Sequence, residues 1–330
     1  MNKLLLIALF AASVQLSQRV LAQPPSDLAH NLRPSDTQPS DATALHQRAL
    51  NYFDQKENER ALEDLDTAIK LNPYYTPAYF LRGQIFARKK LFTKAIADFN
   101  SVIDQDATVA NAFYQRALAH QESRDHRQAL KDFDRALALE PRNAVLLRDR
   151  AIAHRDAGDY DQAVDDYEAA MRLGFSAVDP HPLGELLFFQ GRFHQSAQTL
   201  QQVVRTSPDN RHAGLWRYLA LGKANDNRSA ARELADLAAR ALPDKRWPAA
   251  VFEFYLGKID ESSVYAAAEA AEETVKSEQQ CQANFYVAEA QLLKGAKDDA
   301  ISRLQAARNQ CPPNTPFFHG AVAELKRFGQ

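Results

Sequence analysis

Large apolar, small and polar positions recur along this chain with a period of 34 residues. Shifting the sequence on itself by that length aligns Leu45, Tyr79, Phe113 and Leu147, and then Ala49, Gly83, Ala117 and Ala151. A second set aligns Ala61, Ala95, Ala129 and Ala163, each followed four residues later by Leu65, Phe99, Phe133 or Tyr167. Spacings of three and four place these residues on one helical face, so each period holds two amphipathic helices that meet at their small residues. Pro73 and Pro141 stop the second helix of their periods, whereas Ala107 and Phe175 stand in the same column and leave the stop to neighbours such as Gly174. The pattern predicts an all-α solenoid of antiparallel helix pairs, with four regular units over 42–177.

The same pattern continues over 178–330 in weaker form. A fifth unit shows Gly184, Leu187, Gly191, Leu200 and Val203, with Ser196 where Ala is usual, and a sixth from Arg211 to Leu242 places Tyr218 where a small residue belongs. The last begins near Cys281. Between them lies an insert starting at Trp247 that no ordinary unit explains, and Thr315 to Phe328 reads as a terminal capping helix over the end of the array.

Composition agrees with helices. The chain has 56 Ala against 11 Gly and 25% charged residues, which excludes an all-β protein. Its 40 basic and 42 acidic residues give a net charge of −2, so a general polyanion binder is excluded and nucleic acid is not an expected partner. Part of the balance is periodic: Arg48, Arg82, Arg116 and Arg150 recur with Asp64, Asp98, Asp132 and Asp166. Each Arg column has its acidic column, and weaker units keep or lose both, as Arg217 with Glu233. Structural ion pairs between helices are expected rather than an anion-binding ladder.

Residues 1–22 have the layout of a secretory signal peptide: Lys3, an apolar run from Leu4 to Val14, and a cut after Ala22. Gln23 follows the cut where a lipoprotein would need Cys, so no lipid anchor is expected. Residues 23–41 are rich in Pro, Ser and Asp and read as a disordered linker. An exported, periplasmic protein follows. In that oxidising compartment Cys281 and Cys311, at the two open ends of the last helix pair, are expected to form a disulfide.

The period of 34 with large, small, large, Ala, aromatic, Ala and Pro columns resembles the tetratricopeptide repeat. That resemblance implies a right-handed superhelix that binds proteins or peptides on its concave side, without catalysis. In this frame the first-helix residues turned away from the second helix are Phe80, Gln84 and Arg88, then Tyr114, Leu118 and Gln121, then Arg148, Ile152 and Arg155. Aromatic side chains beside Arg suit an extended or C-terminal peptide. A second resemblance rests on Trp247-Pro248, Val251 to Ile259, Ala283-Asn284-Phe285-Tyr286, Leu292 to Gly295 and Ala323-Glu324-Leu325, which look like the C-terminal part of the NlpI family of bacterial envelope proteins. It implies a homodimeric adaptor that brings cell-wall hydrolases to a tail-specific protease or to each other.

No catalytic residue, cofactor or metal site is expected. None of the nine His has a recognised ligand spacing, and His120 and His154 fall in the packing column of Tyr52 and Phe86. His154-Arg155-Asp156 matches a kinase fragment by chance, since no glycine-rich phosphate loop accompanies it. Two alternatives stay open: a scaffold or chaperone for secretion or polysaccharide assembly, and a periplasmic hydrolase.

Overall fold

A computed structural model describes residues 41–173, 180–241 and 246–330. The signal segment, nearly all of the linker, Gly174, Phe175, the boundary at 177 and Leu242 lie outside the described residues. Among those described, 17 helices and no strands form eight consecutive pairs and a terminal helix. The pairs are α1 (Ala42–Asp54) with α2 (Asn58–Leu71), α3 (Thr76–Arg88) with α4 (Phe92–Gln105), α5 (Ala110–Glu122) with α6 (His126–Leu139), and α7 (Ala144–Ala157) with α8 (Tyr160–Arg172). Then come α9 (His181–Phe189) with α10 (Phe193–Thr206), α11 (Arg211–Lys223) with α12 (Asn227–Ala241), α13 (Ala249–Tyr255) with α14 (Glu261–Glu269), and α15 (Glu273–Leu293) with α16 (Lys297–Gln310). Helix α17 is Pro316–Arg327.

Each pair turns through one residue in the left-handed region. Lys56, Lys90 and Arg124 take it at φ 65°, 58° and 65°, while Gly158, Gly191, Asn225, Gly257 and Gly295 take it in the later pairs. A side chain with a Cβ is strained there, so the three basic residues are held by the packing around them. The turn before α14 reveals the region after Trp247 as a shortened pair of 7 and 9 residues rather than an insert outside the repeat.

The small columns lie at the crossings. Ala49, Ala61, Ala95, Ala117, Ala129, Ala151 and Ala163 are fully buried, and a Cβ on Gly83 would stand 2.8 Å from the Phe99 ring. In the fifth pair Ser196 is buried and donates its hydroxyl to the Gly184 carbonyl at 2.7 Å, which satisfies a polar group at a position made for Ala. The sixth pair moves its close approach one turn earlier. Gly214, rather than Tyr218, meets the second helix, where a Cβ would lie 2.4 Å from Leu237. Tyr218 packs at a tilt against Tyr255 of α13 instead, with ring centroids 5.0 Å apart.

First helices of neighbouring pairs touch, as α1 with α3, α3 with α5 and α9 with α11, and no pair of second helices packs comparably. The first helices therefore form the inner layer. Helix α17 covers the last pair through α16 and continues across that inner layer. Phe317 packs on Trp216 of α11 and on Phe285 and Tyr286 of α15, and His319 reaches Asp156 of α7 at 3.5 Å. Arg327 donates to the carbonyls of Phe188 and Phe189 in α9 at 2.8 and 2.7 Å. The helix expected at the end of the array thus also fills its inside.

Candidate functional site

The inner layer is divided by α17. Over α9, α11 and α15 it is occupied by the chain's own terminal helix, with Phe317, Ala321 and Leu325 buried against them. Among the described residues, none packs across the inner face of α1, α3 and α5. The boundary falls at α7 and α8, where Arg155 of α7 donates to the Asn314 carbonyl at 3.4 Å and Tyr160 of α8 meets His319 Nδ1 at 3.3 Å. Burial lowers the His319 imidazole below its usual value, although its hydrogen bond to Asp156 opposes this.

The residues expected to line the groove lie on α3, α5 and α7, in different states. Phe80 is half-buried against Phe99, with ring centroids 5.8 Å apart. Leu118 and Ile152 are half-buried beside apolar clusters. Tyr114 is also half-buried and donates to Asp149 Oδ2 at 2.8 Å; burial and the neighbouring Asp149 raise its hydroxyl pKa. Arg148 pairs with Asp149 at 2.8 Å and Arg155 with Asp156 at 2.7 Å. Gln121 donates weakly to Asp156 at 3.4 Å and keeps a buried Oε1 without a partner.

Arg88 differs from the other two groove arginines. It makes no ion pair among the described residues and lies over the Phe53 ring of α1, 4.0 Å from its centroid. Burial lowers its guanidinium pKa, opposed by nearby Asp54, so its charge is the least compensated of the three. Gln84, one turn before it, is half-buried. Phe80, Leu118 and Ile152 are thus half-buried apolar side chains on three successive first helices, and Arg88 is a guanidinium without an ion pair among the described residues.

The Arg and Asp columns meet on the other side of the first helices. Arg48 donates to both carboxylate oxygens of Asp64, Arg82 to those of Asp98, Arg116 to those of Asp132 and Arg150 to those of Asp166, all at 2.7 to 2.9 Å. Three of these arginines also reach the previous pair: Arg82 to Asp66, Arg116 to Asn100 and Arg150 to Asp134, at 2.6, 2.6 and 2.7 Å. One planar fork thus joins three helices and two pairs. Asp66, Asn100 and Asp134 are themselves 34 apart, a column that sequence reading passed over because Asn breaks its charge. Arg217 pairs with Glu233 in the sixth pair.

In the last pair Cys281 and Cys311 are joined across 30 residues. Trp247, Phe254 and Tyr255 are half-buried in packing, Trp247 donating to Gln282 at 2.6 Å and Tyr255 to the Tyr286 carbonyl at 2.8 Å. Among the described residues no three His, Cys, Asp or Glu side chains gather in a metal-binding group. No described helix is long and apolar enough to cross a membrane.

Helix pairs stacked by shared guanidinium forks, with an open inner surface, define a helical-repeat interaction scaffold. Comparison gives the repeat its name: residues 46–110 and 110–143 match models of the tetratricopeptide repeat. The chain is a tetratricopeptide-repeat solenoid. It is similar in fold to a tetratricopeptide repeat protein from Parabacteroides merdae, at 15% identity and a TM-score of 0.52, over 85% of this chain and 98% of that one. Further likenesses are to MamA, at 20% identity and a TM-score of 0.40 over 41% of this chain and 80% of that one. Another is the first repeat domain of Spaghetti (RPAP3) bound to the HSP90 peptide SRMEEVD, at 22% identity and a TM-score of 0.35 over 37% and 99%.

Proposed function

We propose that this protein is a non-enzymatic adaptor that holds an extended segment of a partner protein along the open inner surface of α1, α3, α5 and α7. The observation that carries this reading is the division of the inner layer: one half is filled by α17, and the other keeps Phe80, Leu118 and Ile152 only half-covered beside the unpaired Arg88. A peptide laid across the stripe would bury apolar side chains while Arg88 meets an acidic group or chain terminus. Tyr114, Arg148 and Arg155 shape the groove through Asp149 and Asp156 and are not its primary contacts.

The compartment belongs to the same proposal. The signal-like start of the chain and the joined cysteines support an exported protein of the bacterial envelope. The NlpI-like residues support a homodimeric adaptor that presents cell-wall hydrolases to a protease. Affinity capture from envelope extract tests the reading, with Phe80→Ala, Arg88→Ala and Leu118→Ala combined. The variant is expected to keep its helical circular dichroism and lose its captured partner. Retained capture would move the site away from the open groove, and turnover of a substrate by the purified protein alone would refute the adaptor.

A further inference from the structure

Within each pair the chain passes from the first helix to the second through a short turn, and acidic residues stand at most of these turns. Glu57, Asp125, Asp159 and Asp226 each follow the left-handed residue directly, and Asp260 precedes α14. Three of them cap the helix they introduce: Asp125 accepts from the Gln128 amide at 3.2 Å, Asp226 from that of Ser229 at 3.1 Å and Asp260 from that of Ser263 at 2.9 Å. Such a cap satisfies an orphan N–H and sets a negative charge at the positive end of the helix.

The turn between α3 and α4 combines three locally unfavourable residues. Lys90, like Lys56 and Arg124, holds the left-handed conformation without being Gly, at φ 58°. Leu91 stands at the capping position and makes no side-chain cap. Lys94 puts a positive charge in the first turn of α4, where α2, α8, α14 and α16 carry acidic residues. Each choice costs stability at the turn, and departures gathered in one place point to a use outside the fold.

Together these residues make a cationic tip with an apolar centre. Lys89, Lys90 and Lys94 are exposed, and the chain has no acidic residue between Arg88 and Lys94. Lys90 and Lys94 make no ion pair among the described residues. Lys89 meets Glu59, whose carboxylate side chain is 73% exposed and therefore a weak partner. Between the lysines Leu91 is 41% exposed, the one large apolar side chain so exposed at a turn within a pair among the described residues. The chain as a whole has a net charge of −2, so the tip is a local excess of the opposite sign.

The tip of a turn has no groove to enclose a peptide. An exposed leucine flanked by ammonium groups instead fits a deformable anionic surface, where the apolar side chain enters the headgroup boundary and the lysines meet phosphates. We propose that the turn between α3 and α4 is a contact for an anionic lipid surface, made by Leu91 with Lys89, Lys90 and Lys94. Contact through a single turn is peripheral and weakened by salt. It does not depend on what the inner groove binds.

The test is vesicle flotation of the chain from Gln23 onward, which lacks the apolar run of Leu4 to Val14. Vesicles of phosphatidylcholine alone are compared with phosphatidylcholine containing about a third phosphatidylglycerol. Binding is expected on the anionic vesicles only and should fade as salt is raised. Lys89→Gln, Lys90→Gln and Lys94→Gln combined are expected to weaken partition about a hundredfold, at roughly fivefold for each lysine. Leu91→Asp supplies the missing cap, so it is expected to raise the melting temperature while weakening partition about tenfold, which separates lost binding from lost fold. Arg228→Gln with Arg232→Gln, at exposed positions of α12, should change partition less than about twofold. No binding to anionic vesicles, equal binding to neutral ones, partition unchanged in either turn variant, or an equal loss in the α12 variant would overturn the proposal. Binding of poly-glutamate in place of vesicles would overturn it in favour of an acidic protein.

Discussion

At the residue scale the array is held by side chains that serve two pairs at once. Arg82 is 19% exposed at its side chain and its carboxylate partner Asp98 only 6%, so removing the guanidinium leaves a covered carboxylate with no donor. Losing one partner of such a pair costs more than the pair itself contributes. Arg82→Ala is therefore expected to destabilise by roughly 2–4 kcal/mol in urea unfolding. Asp66→Ala removes only the exposed arm of the fork, at 52% exposure, and is expected to cost under about 1 kcal/mol. Equal losses in the two variants would contradict the distinction. The turn residues lead to the opposite sign: Lys90 holds φ 58°, and Lys90→Gly is expected to stabilise by up to about 1 kcal/mol through relief of that strain.

At the element scale the critical contact is α17 on the inner layer. Gly320 faces α11 and α15 so closely that a Cβ would lie 2.7 Å from the Phe285 ring and 3.1 Å from Trp216. Gly320→Val is expected to cost roughly 1–3 kcal/mol and to expose the amides of α17 to hydrogen exchange before those of α1 to α6. The polar side of the same interface is a buried cluster in which Lys223 of α11 lies 3.0 Å from Glu289 of α15 and 2.8 Å from Glu324 of α17. Burial pushes the Glu289 carboxyl up to about 7; Glu324 adds to this, while Lys223 and Arg327 oppose it. Because the folded value lies above the unfolded one, the favourable contribution is complete at acidic pH and is lost as pH rises through about 7. Buried His212, lowered to about 4, acts with the opposite sign, so the contribution of Glu289 is read as a difference: the melting temperature of the wild type relative to Glu289→Gln should fall between about pH 5 and pH 7. A difference that stays level or rises over this interval would contradict it.

At the scale of the whole molecule a solenoid transmits stability between neighbours, so a change at one end is felt mainly there. The Cys281–Cys311 bridge closes a loop with a sequence separation of 30, at the point where the chain leaves α16 for α17. Replacing both cysteines by alanine is expected to remove roughly 3–4 kcal/mol from the last pair and α17, by the loop-entropy argument. Protection of α1 to α6 in hydrogen exchange should be unchanged. A uniform loss of protection would mean that the array unfolds as one unit.

Much of this architecture is written locally in the chain. Each regular helix pair is a segment of 34 residues whose small crossings, caps and turn lie within it, and each guanidinium fork joins residues 16 apart, such as Arg82 with Asp98 and with Asp66. Interactions that repeat at fixed short separations leave periodic columns, and these identified the helix pairs and the matched Arg and Asp. What had no periodic trace was the course of α17. Its contacts join residues 159 apart, as Tyr160 with His319, and depend on whether Gly320, Phe317 and Trp216 fit together in space. The sequence by itself determined the repeat and the pairing of its charges, since both are short-range and repeated. Only the tertiary structure decided which first helices the terminal helix covers, because that follows from packing between distant segments that occurs once.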